Sequence, residues 1–319
     1  MDSSKSSISP IFIVGVPRSG TTLLANLIGS HPLVAPIYET RFLRNLLLIC
    51  EKACWFWGDS MSRRLSSLLW EHPIRSRFLA RCARFKQKTI SYNAPYPDGF
   101  NAKQSYEAFP FGNRCILYSP DEFTRRTDLF VKHLQASRLS HKEVYSLARA
   151  YADRLFSIHC ARMGKPYWIN KTPGLLTHLQ RLPKLYPKAK CIHVLRDGRD
   201  VAVSNLSLSW GPTNVRDAAR RWKRLILDGR RGVDPKELSY MELHYEELIK
   251  FPREVLKNVF AFMGLDADPG EVLSRIPVFN GRIKVWRSVF SQEDRRTFAK
   301  EAGDLLLELG YEKDHSWVG

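Results

Sequence analysis

The stretch at residues 11–29, IFIVGVPRSGTTLLANLIG, constrains the fold more than any other part of this sequence. Residues 11–16 are uncharged and mostly β-branched, which predicts a strand buried on both faces, as in a parallel sheet. Pro17 ends that strand, and Gly20 lets the backbone turn so that successive N–H groups face inward. Apolar residues then recur at helical spacing, so the start of a helix faces the same point. The stretch therefore predicts a strand, an anion-binding loop and a helix.

This loop differs from the one that binds nucleoside triphosphates. Gly15 and Gly20 have the spacing of the G-x-x-x-x-G-K-[ST] motif, but Thr21 stands at the lysine position. The segment PRSGTT resembles the 5′-phosphosulfate loop of sulfotransferases, which bind 3′-phosphoadenosine 5′-phosphosulfate (PAPS) without a metal. An ordinary strand, turn and helix is the structural alternative. The resemblance implies that the loop holds the donor through Arg18, Ser19, Gly20, Thr21 and Thr22.

Two further residues receive catalytic roles from the same resemblance. Glu39 follows a short predicted strand at 34–37 in the context Glu-Thr-Arg, where related sulfotransferases carry their general base. A surface glutamate paired with Arg41 is the alternative, worth at most ~1 kcal/mol. Lys171 follows a predicted strand at 167–169 within Asn-Lys-Thr-Pro, which resembles the family's N-K-x-P segment, whose lysine reaches the transferring sulfuryl group. A strand-end lysine in solvent is its alternative. The resemblance also makes Arg18 a catalytic cation.

A second signature, KCIHVLRDGRDVAVSNL, occupies residues 190–206. It predicts a strand, a turn and a helix. The resemblance assigns Arg196 and Ser204 to the 3′-phosphate, and a guanidinium can grip phosphate with two parallel hydrogen bonds. Tyr245 begins a Y-E-E-L segment that also resembles the family. The late segment GRIKVWRSV resembles the one whose basic residue closes over the cofactor; we expect Lys284 there, with Arg282 and Arg287 as alternatives.

The span between these signatures matches none of the motifs. Residues 41–88 carry eleven Lys or Arg against three acidic residues, with aromatic residues interleaved, and predict two or three amphipathic helices. A solvated basic face on core helices, an anionic-substrate face and a membrane-surface face all fit that pattern. Residues 89–120, rich in Pro, Gly, Asn and Tyr, predict a long functional loop. Ser140 and Glu143 predict a capped helix that ends near residue 163. We expect an insertion at about 41–166 to bind the acceptor.

The overall charge favours anionic partners. The 319 residues include 50 basic and 32 acidic side chains, a formal net charge of +18. The basic cluster at 216–232 predicts a core helix with a solvated face, and no motif for reading bases accompanies it. We therefore expect no nucleic acid. The six cysteines have neither metal-ligand nor C-x-x-C spacing, and no signal peptide or 18-residue apolar span is evident, which predicts reduced thiols in a cytoplasmic protein.

Alternating strands and helices predict one three-layer α/β/α domain over residues 1–319, with a central parallel sheet and a P-loop-like binding edge. The resemblance implies a metal-free PAPS-dependent sulfotransferase that acts on an acceptor hydroxyl by in-line displacement. A saccharide, a tyrosine, a lipid and a small alcohol all remain open as acceptors, as do peripheral membrane contact and the oligomeric state. The alternatives from other classes are a P-loop kinase and a non-catalytic basic protein that binds anions or nucleic acid.

Overall fold

The computed structural model describes residues 9–39, 41–58, 73–91, 120–136, 139–209, 211–279 and 282–319. The strands are β1 (Ile11–Gly15), β2 (Val34–Tyr38), β3 (Tyr167–Lys171), β4 (Lys190–Leu195) and β5 (Ser239–His244). The helices of the first half are α1 (Thr21–Gly29), α2 (Arg41–Gly58), α3 (Pro73–Ser91), α4 (Pro120–Ala136) and α5 (His141–Met163). The later ones are α6 (Leu182–Leu185), α7 (Gly198–Leu206), α8 (Val215–Arg231), α9 (Tyr245–Lys250), α10 (Pro252–Met263), α11 (Pro269–Arg275), α12 (Trp286–Val289) and α13 (Gln292–Glu308). Short 3₁₀ helices occupy Pro173–Arg181 and Ser316–Val318.

The strands form a five-stranded sheet in the order β2-β3-β1-β4-β5. The ladders β1 with β4, β4 with β5, and β2 with β3 are all parallel. Parallel strands need crossover connections, and the helices in the chain between them provide these. The predicted α/β class with a central parallel sheet is confirmed.

The chain divides into two compact units. Unit 1 comprises Met1–Pro32, Pro173–Gln180 and Lys188–Gly319, and unit 2 comprises Leu33–Thr172 and Arg181–Pro187. Unit 2 therefore contains the whole span, about 41–166, in which we expect the acceptor-binding insertion. The predicted single-domain organisation stays a prediction.

Unit 1 is built around β1. All five residues of β1 are buried, as expected for its continuous apolar run, and five of the six residues of β4 are also buried, including His193. Gly15 pairs with Val194, and a Cβ on Gly15 would lie 2.7 Å from the Val194 carbonyl oxygen. Glycine at the end of β1 thus permits the close approach of the neighbouring strand.

Unit 2 packs its long helices through aromatic side chains. Phe56, near the end of α2, stacks on Phe78, near the start of α3, with ring centroids 4.4 Å apart. Further along α3, Phe85 contacts Phe130 of α4, whose ring stacks on Tyr151 of α5. The predicted helices at 41–88 are confirmed where they are described, while residues 59–72 and 92–119 lie outside the described residues.

Several helices have well-formed caps. Ser140 and Glu143 form the predicted capping box at the start of α5. Gly264, with φ of 76°, caps the end of α10, and Ser291 caps the start of α13. The five cysteines within the described ranges are buried and unbridged. No helix in the described part of the chain combines the length and the apolar character needed to cross a membrane.

Candidate functional site

The loop after β1 has the geometry of an anion cradle. Gly20 has φ of 91°, and a Cβ there would lie 2.3 Å from Cδ2 of the Tyr245 ring. The loop therefore needs glycine at this position both for its backbone conformation and for the packing of Tyr245. Helix α1 begins immediately afterwards at Thr21 without a side-chain cap. Uncapped N–H groups at a helix start bind anions, so the backbone here matches the predicted role.

Two side chains of this loop differ in exposure. Ser19 is fully buried, and its hydroxyl has no hydrogen-bond partner among the described residues. Arg18 is exposed and adopts φ of 79°, a conformation that residues with a side chain rarely take. Thr21 is buried and Thr22 is half-buried at the first turn of α1. An orphaned hydroxyl and a strained backbone are both typical of a ligand-binding segment.

Arg196 and Ser204, predicted to bind the 3′-phosphate, lie beside this loop. Arg196 donates from one terminal nitrogen to the Arg18 carbonyl oxygen at 2.8 Å, and its guanidinium lies 4.7 Å from the centre of the Tyr245 ring. Arg18 Nε donates to Ser204 Oγ at 2.8 Å. The structure thus places Arg18, which we expected near the transferring sulfuryl group, against the serine expected at the 3′-phosphate.

These cations repel one another. Partial burial, followed by the positive charges of Arg282 and Arg196, lowers the pKa of the Arg18 guanidinium. Arg196 Nε is buried and has no hydrogen-bond partner among the described residues. A cluster of like charges with an unused buried donor is stabilised when an anion binds to it.

The late basic segment contributes Arg282 most directly. The second terminal nitrogen of Arg196 donates to the Arg282 carbonyl oxygen at 2.5 Å. Lys284 is exposed and has φ of 60°, and Arg287 lies over the Trp286 ring at 5.5 Å from its centre. Among the three rivals, Arg282 is the one whose charge acts on Arg18. The assignment of Lys284 stays a prediction.

Three further residues support the cluster without having been assigned a role from the sequence. Asp200 accepts hydrogen bonds from the backbone N–H groups of Lys284 and Trp286. Asn205 donates to the Pro17 carbonyl oxygen at 3.3 Å. Glu246 accepts from the N–H of Asp197 at 3.0 Å. Asp200 and Asn205 belong to the second signature and Glu246 to the Y-E-E-L segment, so their motifs marked them, but their partners lie far along the chain.

Burial of the Glu246 carboxyl is the main cause that raises its pKa to about 7. Burial likewise raises the pKa of Tyr245 and of Asp200. We define Arg18, Arg196, Ser204, Tyr245 and Arg282 as the phosphate-side cluster, after the role predicted for Arg196 and Ser204. The buried carboxyl groups of Asp200 and Glu246 belong to the sequence segments that carry it.

Unit 2 brings Glu39 and Lys171 together. Strands β2 and β3 end side by side, with Tyr38 opposite Lys171, and the Glu39 N–H donates to the Lys171 carbonyl oxygen at 2.8 Å. Lys171 Nζ donates to Glu39 Oε1. The lysine side chain is 4% exposed and the glutamate side chain 39% exposed. Glu39 has φ of 52°, so the turn that directs its side chain is strained. Two residues far apart in sequence thus form one hydrogen-bonded pair.

Within the described ranges, no group of three or more His, Cys, Asp or Glu side chains is arranged to hold a metal ion. Comparison with known proteins decides the family. The sulfotransferase family matches residues 10–109 and 95–269, well over half of the chain. The chain belongs to the sulfotransferase family.

This sulfotransferase is similar to several known proteins at low identity. It is 25% identical to the nodulation protein NoeE of Sinorhizobium fredii over 96% of this chain and 68% of that protein. It is 24% identical to protein-tyrosine sulfotransferase 1 of Danio rerio, over 80% of this chain and 53% of that protein. The sulfotransferase domain of the Synechococcus PCC 7002 olefin synthase aligns with a TM-score of 0.46 at 21% identity, over 92% of this chain and 95% of that domain. Membership of the family supports sulfotransfer as the activity.

Proposed function

We propose that this sulfotransferase moves the sulfuryl group of PAPS to an acceptor hydroxyl by in-line displacement. The observation that carries the proposal is the mutual approach of Arg18, Arg196 and Arg282, since Arg196 donates hydrogen bonds to the carbonyl oxygens of both other arginines. Partial burial, followed by the charges of Arg282 and Arg196, lowers the pKa of Arg18. The buried hydroxyl of Ser19 and the buried Nε of Arg196 offer further donors. A donor molecule with two separate anionic groups suits this combination of cations, orphaned donors and helix N-terminus.

The unit 1 residues divide into two sets in this proposal. Arg196 and Ser204 hold the 3′-phosphate, and Arg18 joins them there through its contact with Ser204. The loop N–H groups, together with Thr21 and Thr22, hold the 5′ end, and the Tyr245 ring supports the loop from below Gly20. Their task is to bind and orient, which supplies most of the catalytic effect in group transfers of this kind.

The unit 2 residues carry the proton and the developing charge. When bound, PAPS supplies a sulfuryl group whose sulfur–oxygen bond to the 5′-phosphate can break. Glu39 accepts the proton of the acceptor hydroxyl, whose oxygen forms the new bond to sulfur while the electron pair of the broken bond passes to the 5′-phosphate oxygen. Lys171, one hydrogen bond from Glu39, stabilises charge on the sulfuryl oxygens.

The acceptor bears a hydroxyl group. Saccharide, tyrosine, lipid and small-alcohol acceptors all fit, and the Danio rerio relative is named for the tyrosine class. Selection of the acceptor by residues 41–166, metal-free binding of PAPS, a cytoplasmic location, peripheral membrane contact and the absence of nucleic-acid binding stay predictions.

Calorimetry with adenosine 3′,5′-bisphosphate and with ATP, each with and without a chelator, tests the donor. We expect the bisphosphate to bind more tightly than ATP, because ATP lacks the 3′-phosphate to which Arg196 and Ser204 are assigned. The chelator should leave the Kd of the bisphosphate unchanged. Equal affinity for ATP contradicts the assignment, and ATP binding that needs Mg²⁺ favours the kinase alternative. Transfer of radiolabelled sulfuryl groups from PAPS to a panel of hydroxyl compounds then identifies the acceptor class.

A further inference from the structure

Asp200 is a buried carboxylate at the start of α7. It is 1% exposed, and both of its oxygens accept backbone hydrogen bonds: Oδ2 from the Lys284 N–H at 2.7 Å and Oδ1 from the Trp286 N–H at 3.0 Å. Its Oδ2 also lies 4.0 Å from a terminal nitrogen of Arg196. A buried carboxylate is costly unless it is fully hydrogen-bonded, so both N–H donors are needed to keep it there.

The segment that Asp200 holds, residues 282–286, needs an external constraint. Lys284 adopts φ of 60°, a left-handed conformation that is unfavourable for a residue with a side chain. Arg196 adds a third hydrogen bond, to the Arg282 carbonyl oxygen. Trp286 anchors the far end, since it is 2% exposed and its ring lies 3.9 Å from the Arg199 guanidinium carbon. The backbone of the segment is therefore fixed by side chains of the second signature.

We infer that Asp200 is a positioning residue that holds segment 282–286 against Arg196 and thereby sets the position of Arg282 in the phosphate-side cluster. The inference rests on the proposed function, in which the cluster binds the 3′-phosphate of the donor. This role involves no direct contact between Asp200 and the donor. It acts through the two N–H groups, and a bound phosphate and the ordered segment stabilise each other reciprocally.

The side-chain chemistry distinguishes Asp200 from its neutral isostere. A carboxylate offers an acceptor to each of the two N–H groups. In Asp200→Asn one oxygen becomes an NH₂ group, which faces one of the N–H donors and loses that hydrogen bond. Asp200→Ala loses both. The two variants should therefore form a graded series if holding the segment is the role of Asp200.

Two measurements on the full chain test this role. Amide hydrogen exchange of peptides that span residues 282–290 should accelerate about tenfold or more in Asp200→Ala, with a smaller change in Asp200→Asn, since the first variant loses two hydrogen bonds to the segment and the second loses one. Calorimetry with adenosine 3′,5′-bisphosphate should show an affinity loss of about tenfold in Asp200→Ala. In the Arg282→Gln background the same substitution should cost under about threefold, because the cation it positions is gone.

Asp268→Ala is the matched control, because Asp268 also accepts a backbone hydrogen bond at a helix start in unit 1, from the Gly270 N–H at 2.8 Å. It should leave bisphosphate affinity unchanged. Faster exchange in Asp200→Ala with wild-type affinity overturns the positioning role, as does an equal affinity loss with and without Arg282. Failure of the wild type to bind the bisphosphate overturns the proposed function itself. If Asp200→Ala does not fold, Asp200→Asn with Arg282→Gln provides the same comparison.

Discussion

The phosphate-side cluster of unit 1 and the Glu39–Lys171 pair of unit 2 are built in different ways. Arg196 donates to two backbone carbonyl oxygens and lies over an aromatic ring. Glu39, by contrast, has a side chain 39% exposed and one side-chain partner, Lys171. Rigid, multiply held cations suit the binding of a fixed anion, whereas a general base must reach a substrate proton and release it again. The difference fits the proposed roles, in which unit 1 binds the donor and Glu39 of unit 2 takes up the proton.

Two basic helices repeat this contrast. In α8 of unit 1, Arg220 makes two hydrogen bonds to Glu301, and Arg230 makes two to Glu242. In α3 of unit 2, the described arginine side chains have no ion-pair partner in the described part of the chain, and Lys86 alone pairs, with Asp128. The cations of α8 are thus largely neutralised within the protein. Those of α3 remain available to an anionic partner. The arginines of α3 whose side chains are described are Arg77, Arg81 and Arg84.

Of all the variants, Glu39→Gln should separate turnover from nucleotide binding most strongly. We expect turnover to fall by roughly 10²–10⁴, the usual contribution of a general base, while bisphosphate affinity stays at the wild-type value. Single-turnover transfer from PAPS and calorimetry on the same preparation measure the two quantities. Turnover at the wild-type rate would make Glu39 a surface carboxylate and would mean that the general base lies elsewhere.

Arg196→Ala should show the opposite pattern. Loss of hydrogen bonds from a charged group should weaken bisphosphate binding by about 1.5–3 kcal/mol, roughly 10-fold to 100-fold in Kd. Turnover at saturating PAPS should fall less than in Glu39→Gln. Arg220→Ala, which removes an exposed arginine from the same unit, is the control and should bind the bisphosphate normally. An unchanged Kd in Arg196→Ala would show that the cluster does not hold the nucleotide.

Glu246→Gln tests whether buried polar groups stabilise the binding unit in a pH-dependent way. The folded-state pKa of Glu246, about 7, lies above its unfolded value of 4.5. Its contribution to stability is therefore present below pH 4.5 and is lost as the pH rises through 7. The glutamine variant avoids the cost of ionising this site, so its unfolding free energy at pH 8 should exceed that of the wild type by on the order of 2 kcal/mol. Near pH 5 the unfolding free energies of the two proteins should converge in denaturant titrations. A difference that is the same at pH 5 and pH 8 would contradict the raised pKa of Glu246.

The smallest effect is expected on α3. Replacing Arg77, Arg81 and Arg84 together with Gln should raise the KM of an anionic acceptor a few-fold and weaken the salt dependence of kcat/KM, because exposed charges act within ~8 Å at physiological salt. Bisphosphate Kd should not change. The matched control neutralises three cations of α8, Arg216, Arg220 and Lys223, and should leave the acceptor KM unaltered. A loss of nucleotide binding in the α3 variant would show that α3 acts on the donor and not, as predicted, on the acceptor.

The sequence by itself determined the local elements and the residue types at the binding edge. The apolar run of β1, the glycine of the following turn and the capping pair Ser140 and Glu143 each act through neighbours within a few residues, so their structure can be predicted from spacing. The same holds for the order of strands and helices that places α1 and α7 directly after β1 and β4. Motif resemblance identified Glu39 and Lys171 as candidates, although nothing local predicted their contact.

Only the tertiary structure decided which side chains meet. Arg18 contacts Ser204, 186 residues away, and Asp200 holds backbone groups 84 and 86 residues away. The effect of the Arg282 charge on Arg18, and the burial that raises the pKa of Glu246, have the same origin. Local periodicity fixes which face of an element is apolar, but hydrogen bonds, charge separation and desolvation depend on distances of a few ångströms between elements that only the packed chain brings together.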